Sequence, residues 1–242
     1  MATKTEEVEA QDENQESSPR FAVLFDLENV AAHGREAAYK VLKSILKEHK
    51  IDFQPAHFAR YCMAATPDQY VPGLLEALGL KLSAKKLAED VTSGMVMNLS
   101  SRDGGLKPGF AAMLDEAAKQ GISLAALSAL PKATAEGLLK KLGMADKNVQ
   151  VYSLSDDLDE ACPRSDSWLK IAKAMSRPSS SCAVLASNRD CCRAALAAGM
   201  RCVAVPDEYT AFQDFGGADI VLDSLEEMPA ADLLSQLFSK TN

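Results

Sequence analysis

The chain has 242 residues, of which 47% are hydrophobic and 25% are charged, as is usual for a soluble globular protein. That length suffices for one large domain, or for one domain that carries an insert. The net charge of -8 argues against broad nucleic-acid binding, because no excess of cations is present to replace the counterions of phosphates.

The N-terminal residues 1–19 are rich in acidic side chains and contain no apolar cluster. Such a segment buries too little surface to offset its ordering entropy, so the sequence predicts a disordered acidic tail. It lacks the apolar run of a secretion signal, and no apolar stretch reaches about 20 residues, the length of a membrane span. We therefore expect a cytoplasmic protein that does not associate with membranes and keeps its cysteines as free thiols.

The first ordered element is predicted to be a strand over 21–25, a continuous apolar run of the kind that is buried on both faces of a sheet. Asp26 follows its carboxyl end. The next stretch, 33–104, carries helical patterns and no good strand. It opens with an amphipathic helix over 36–49, and further helices are predicted over 55–63, 67–79 and 83–98.

From residue 105 onward, strand and helix patterns alternate. Predicted strands cover 122–127, 149–154, 182–185, 201–205 and 218–222. Predicted helices cover 109–119, 134–142, 166–175 and 190–198, and a last helix ends the chain. This alternation implies right-handed crossovers and a parallel sheet with helices on both faces. Ligands of such sheets bind at the carboxyl ends of the strands. This directs attention to Asp26, Ser128, Ser155 with the loop after it, and Ala186-Ser187-Asn188.

Several segments together carry a family resemblance. They are Phe25-Asp26-Leu27-Glu28-Asn29-Val30 and the stretches 106–110, 121–128, 193–200 and 218–225. In this order and spacing the chain resembles the haloacid dehalogenase (HAD) superfamily over about residues 20–235. It is most similar to the phosphoglycolate phosphatase and β-phosphoglucomutase type. The resemblance implies an α/β protein in which a Rossmann-like parallel sheet core, 20–32 and 105–242, carries an inserted all-helical cap, 33–104.

The resemblance also implies a covalent phosphatase chemistry. A carboxylate attacks phosphorus to form an aspartyl-phosphate, and a second carboxylate acts as general acid and then as base. Mg²⁺ and a lysine supply positive charge at the phosphoryl oxygens. By this resemblance Asp26 stands at the position of the nucleophile and Glu28 replaces the second aspartate. Ser128 fits the phosphate-binding hydroxyl of the second motif.

Two further motifs depart from the family pattern. Cys162 stands where the third motif has its lysine. Arg164 and Lys170 are the candidates to substitute for it, although neither stands at the matching position, and Arg164 is the candidate to contact the substrate. The fourth motif offers Ser187 where the family has acidic metal ligands. Asp26, Glu28 and Ser187 are then the remaining candidates for a metal site, and we expect Mg²⁺ to be bound weakly or not at all.

Three functions remain open at this point. The first is a pseudoenzyme that binds a phosphorylated small molecule or a protein partner. The second is an active phosphate-monoester hydrolase that uses Asp26 as nucleophile, with Arg164 and a carboxylate of Asp157, Asp159 or Glu160 as helpers. The third is a dehalogenase, a branch that needs no Mg²⁺ but needs a lysine and an arginine beside the nucleophile, and the sequence makes neither evident.

Overall fold

The computed structural model describes residues 21–101, 104–160 and 162–239. The predicted acidic tail, 1–19, lies outside the described residues. The strands are β1 (Ala22–Asp26), β2 (Ser123–Ser128), β3 (Val149–Ser153), β4 (Cys182–Ala186), β5 (Arg201–Ala204) and β6 (Ile220–Val221). They form one sheet in the order β3-β2-β1-β4-β5-β6, and each pairing is parallel. The predicted parallel α/β fold is thus confirmed.

Helices connect and cover the strands. Between β1 and β2 the chain forms α1 (Gly34–Glu48), α2 (Pro55–Tyr61), α3 (Pro67–Leu78), α4 (Ala84–Leu99) and α5 (Phe110–Lys119). The later helices are α6 (Lys132–Lys141), α7 (Ser165–Ala174), α8 (Arg189–Ala197) and α9 (Ala230–Phe238). The helices α1 to α4 fill the segment for which the sequence predicts an inserted helical cap.

The sheet separates two apolar cores, and β1 contributes to both. Side chains of a strand point alternately to opposite faces, so Val23 and Phe25 face one core while Ala22 and Leu24 face the other. The first core continues into the cap helices, and the second is built around Trp168. The first four residues of β1 are completely buried, which explains their uninterrupted apolar sequence.

The strand register places the candidate site. Asp26 pairs with Leu127 of β2, and Phe25 pairs with Leu185 of β4. Because all three strands run in the same direction, their carboxyl ends meet at one edge of the sheet. Asp26, Ser128 and Ser187 therefore converge there from distant parts of the sequence.

The thiols and the helix lengths complete the description of the fold. All six cysteines are free, and each is buried except Cys162. Within the residues that the structure describes, none of the helices combines the length and the apolar character needed to cross a bilayer.

Candidate active site

Asp26 is held by neutral hydrogen-bond donors. After β1 the chain enters a π-helical turn, Leu27–Ala31. This turn brings the backbone N–H of Asn29 to 2.9 Å from Asp26 Oδ1 and the Asn29 side-chain amide to 3.0 Å from Oδ2. Ser187 donates its hydroxyl to the same Oδ2 at 2.9 Å. Both carboxylate oxygens of the predicted nucleophile are therefore engaged by groups that carry no charge.

Glu28, the predicted general acid, is buried beside Asp26. Its carboxyl shares a short hydrogen bond with the Ser128 hydroxyl and accepts the backbone N–H of Ala129 at 3.2 Å. Burial raises the pKa of Glu28 to about 8, and the charge of Asp26 contributes in the same direction. At neutral pH Glu28 is thus largely protonated.

Ser128, the predicted phosphate-binding residue, is also fully buried. Besides its contact with Glu28, its oxygen accepts the backbone N–H of Leu130 at 3.0 Å. The hydroxyl therefore satisfies groups of the protein itself and fixes the loop that follows β2.

Two cations, Arg35 and Lys107, contact the neighbours of Asp26, and the sequence did not make either of them evident. Arg35 of α1 is only 9% exposed, and its Nη1 donates to Asp207 Oδ2 at 2.7 Å while Nη2 donates to Ser187 Oγ at 3.0 Å. Lys107 Nζ donates to the carbonyl of Asn29 at 2.7 Å and lies 3.9 Å from Asp207 Oδ2. Burial lowers the pKa of the Lys107 ammonium.

A helical pattern could have identified Arg35. Arg35, Ala38 and Leu42 follow the i, i+3, i+7 spacing that defines one face of a helix. Ala38 and Leu42 are buried in the core, so the arginine lies on the inward stripe of α1. A charged residue at such a position needs a partner of opposite charge, and Asp207 is that partner.

The other candidates from the sequence lie away from Asp26. Arg164 precedes α7 with its side chain 70% exposed, and its nearest acidic contact is Glu160 at 4.0 Å. Asp157 pairs with Lys132 at 2.8 Å and also accepts the N–H of Ser153. None of Arg164, Asp157, Asp159 or Glu160 lines the cavity that contains Asp26.

That cavity has a volume of about 340 Å³ and lies between the cap helices and the carboxyl edge of the sheet. Its floor is formed by Asp26, Glu28 and Arg35. Its lining also includes Phe58 of α2, Trp168 of α7 and two further carboxyl groups, those of Asp68 and Glu89. The cavity thus has a mixed lining, in which apolar side chains stand beside four carboxyl groups and one guanidinium.

The side chains around Asp26 do not fit Mg²⁺. This ion requires about six oxygen ligands, usually including carboxylates. Glu28 is turned into the hydrogen bonds with Ser128 and Ala129, and Ser187 offers only a neutral hydroxyl. Across the described parts of the chain, no group of three or more His, Cys, Asp or Glu side chains could hold a metal ion.

Comparison with known proteins identifies the family. The model of the haloacid dehalogenase-like hydrolases matches residues 22–199. YhcW of Bacillus subtilis, a candidate phosphatase by its name, is 27% identical over 219 residues, which are 90% of this chain and 98% of that protein.

Solved structures agree with this comparison. CbbY from Rhodobacter sphaeroides in complex with phosphate superimposes with a TM-score of 0.72 at 23% identity, over 89% of this chain and 98% of that one. β-Phosphoglucomutase from Clostridium difficile gives 0.71 at 19% identity, over 89% and 96% of the two chains. The match of the family model, together with the shared fold, establishes that this chain belongs to the haloacid dehalogenase-like hydrolases.

Proposed function

We propose that this protein is a phosphatase-like member of its family with a depleted catalytic set. In this proposal the site at Asp26 has little or no Mg²⁺-dependent phosphatase activity and serves to bind a ligand. The observation that carries the proposal is the arrangement of Glu28, Ser128 and Ser187 around Asp26. It leaves Asp26 without a second ionised carboxylate to share a metal ion.

The electrostatics support weak catalysis. Attack of a carboxylate on a phosphate monoester brings two anions together, so fixed positive charge is needed where the phosphoryl group is transferred. Arg35 reaches Asp26 only through Ser187, and its charge is paired with Asp207 at 2.7 Å. Lys107 donates to the Asn29 carbonyl. Among the described residues, the Asp26 carboxylate accepts its hydrogen bonds from Asn29 and Ser187 and not from either cation.

A retained binding role is supported by the cavity. Its volume of about 340 Å³ lies in the range of small-molecule sites, and this favours a phosphorylated or other small molecule over a protein partner. Arg164, which the sequence suggests as a substrate contact, does not line this cavity.

The test is the hydrolysis of p-nitrophenyl phosphate by the parent protein and by Asp26→Asn, each with and without Mg²⁺. We expect no stimulation by Mg²⁺ and no difference between the two proteins. A robust rate that requires both Mg²⁺ and Asp26 would contradict the proposal.

A second candidate function is an active phosphate-monoester hydrolase with Asp26 as nucleophile. The burial of two cations near Asp26 favours it, because they reduce the repulsion between the nucleophile and an anionic substrate. Asp26 would form a bond to phosphorus as the ester P–O bond breaks, and water would then hydrolyse the aspartyl-phosphate. A rate that is independent of added Mg²⁺ but abolished in Asp26→Asn would select this candidate.

A further inference from the structure

The side chain at position 187 is a serine that links Arg35 to Asp26 by hydrogen bonds, where the family resemblance implies an acidic metal ligand. It lies directly after the central strand β4, where the fourth motif of the family resemblance has acidic metal ligands. Here the Ser187 hydroxyl is fully buried and donates to Asp26 Oδ2 at 2.9 Å. A hydroxyl carries no negative charge, so the exchange removes an attraction for a divalent cation.

Arg35 completes this chain. Its Nη2 donates to Ser187 Oγ at 3.0 Å. Since arginine has only donors, the Ser187 oxygen must act as acceptor toward Arg35, and its own proton is then directed to Asp26. The positive charge of Arg35 therefore lies one hydroxyl group away from the Asp26 carboxylate.

The position of this charge is fixed. The Nη1 atom of Arg35 contacts Asp207 Oδ2 at 2.7 Å and the Ser187 carbonyl at 3.4 Å. Thr210 donates to the same carbonyl at 2.9 Å and so fixes the backbone that Arg35 contacts. A guanidinium does not lose its proton in proteins, so this buried positive charge is permanent.

We propose that Arg35 takes the place of the divalent metal ion in this site, through its hydrogen bond to Ser187. The inference rests on the proposed function and deepens it, because it names the residue that replaces the metal. Arg35 is a positioning residue: it orients the Ser187 hydroxyl toward Asp26 and repels a divalent cation that approaches the same carboxylate. A pocket built in this way binds its ligand without Mg²⁺.

The inference predicts that two substitutions together rebuild a metal site. Ser187→Asp restores a carboxylate beside Asp26, and Arg35→Gln removes the competing charge. We expect Ser187→Asp alone to gain little affinity for Mg²⁺, because Arg35 would pair with the new carboxylate. We expect S187D/R35Q to bind Mg²⁺ at least about tenfold more tightly than the parent, and Asp26→Asn to abolish the gain.

The experiment is a calorimetric titration of the full chain with Mg²⁺. Arg193→Gln, at an exposed arginine of α8, is the matched control for the loss of one positive charge in Arg35→Gln. We expect it to gain no affinity for Mg²⁺. Circular dichroism verifies that each variant is folded. Because Arg35→Gln removes the nearer of the two cations that contact Asp207, S187D/R35Q/D207N is measured alongside and has the same expected gain.

Two results would overturn the inference. One is a Ser187→Asp variant that binds Mg²⁺ as tightly as the variants that also lack Arg35. The other is that S187D/R35Q and S187D/R35Q/D207N are folded but bind Mg²⁺ no more tightly than the parent. These results are separate from a failure of the proposed function, which would appear as Mg²⁺-dependent hydrolysis of p-nitrophenyl phosphate by the parent protein.

Discussion

Glu28 and Ser128 form a buried hydrogen bond at the carboxyl edge of the sheet, although 100 residues separate them in the sequence. Each side chain occupies a position that resembles a catalytic position of the family. Their contact engages the two side chains with each other, although both residues line the cavity. The pair therefore has a structural effect that can be measured independently of any activity.

The first prediction concerns the pH dependence of stability. The folded chain keeps a proton on Glu28 up to about pH 8, whereas the unfolded chain releases it near the ordinary pKa of 4.5. The folded state then binds more protons between these values, so the contribution of Glu28 to stability is complete below pH 4.5 and is lost as the pH rises toward 8.

Glu28→Gln should remove this dependence, because an amide does not titrate. We expect its free energy of unfolding at pH 8 to exceed that of the parent by about 1–3 kcal/mol, with a smaller difference at pH 5. Urea unfolding at both values measures this. Glu76→Gln, on the exposed side of α3, is the control. If the free energy of unfolding changes equally between pH 5 and pH 8 in the parent and in Glu28→Gln, Glu28 is not protonated in the folded chain.

The second prediction concerns Ser128→Ala. The substitution removes a hydrogen bond from Glu28 and leaves the N–H of Leu130 without its acceptor. We expect a loss of about 1–3 kcal/mol in the free energy of unfolding. The Ser128 hydroxyl lowers the pKa of Glu28, so its removal should also move the loss of stability that Glu28 causes to higher pH. Ser155→Ala, at an exposed hydroxyl, should have a much smaller effect, and equal losses for the two variants would argue against the buried pair.

The third prediction concerns Arg35 and Asp207, whose side chains are 10% and 16% exposed. Asp207→Asn leaves the guanidinium of Arg35 largely buried without an acidic partner and should cost about 3–5 kcal/mol. Arg35→Met should cost less, because Lys107 lies 3.9 Å from Asp207. The double variant should cost less than the sum of the two. Thermal and urea unfolding of all four proteins give this coupling. The exposed pair Lys86 and Asp90 is the control and should show no measurable coupling.

The sequence predicts the framework of the fold well, because its periodicity is local information. The uninterrupted apolar run of β1 predicts a central strand, and the alternation after residue 105 predicts the parallel sheet. The position of Asp26 at a strand end follows directly, since carboxyl ends of parallel strands share one edge. Each of these predictions depends on residues that are close in the sequence.

The charges of the site depend on distant contacts. Arg35 reaches Ser187 across 152 residues and Asp207 across 172, and no local pattern specifies such partners. The orientation of Glu28 likewise depends on the π-helical turn after β1, which the motif spacing does not reveal. The sequence therefore identifies the acidic candidates but not the cations that accompany them.

The fourth prediction concerns Trp168, the one tryptophan of the chain. Its ring is completely buried, but its Nε1 lacks a partner among the described residues. Trp168→Phe should therefore lose packing without losing a hydrogen bond and cost about 1–2 kcal/mol, while Trp168→Ala should cost about 3–5 kcal/mol. Urea unfolding followed by circular dichroism measures both. Equal losses of unfolding free energy for Trp168→Phe and Trp168→Ala would indicate that the indole N–H contributes to stability in addition to the packing of the ring.

The most direct measurement is a calorimetric titration of the parent and of Asp26→Asn with inorganic phosphate, with and without Mg²⁺. The arrangement of Glu28, Ser187 and Arg35 predicts that Mg²⁺ leaves the affinity for phosphate unchanged in both proteins. An affinity that Mg²⁺ increases by about tenfold or more in the parent, but not in Asp26→Asn, would contradict it.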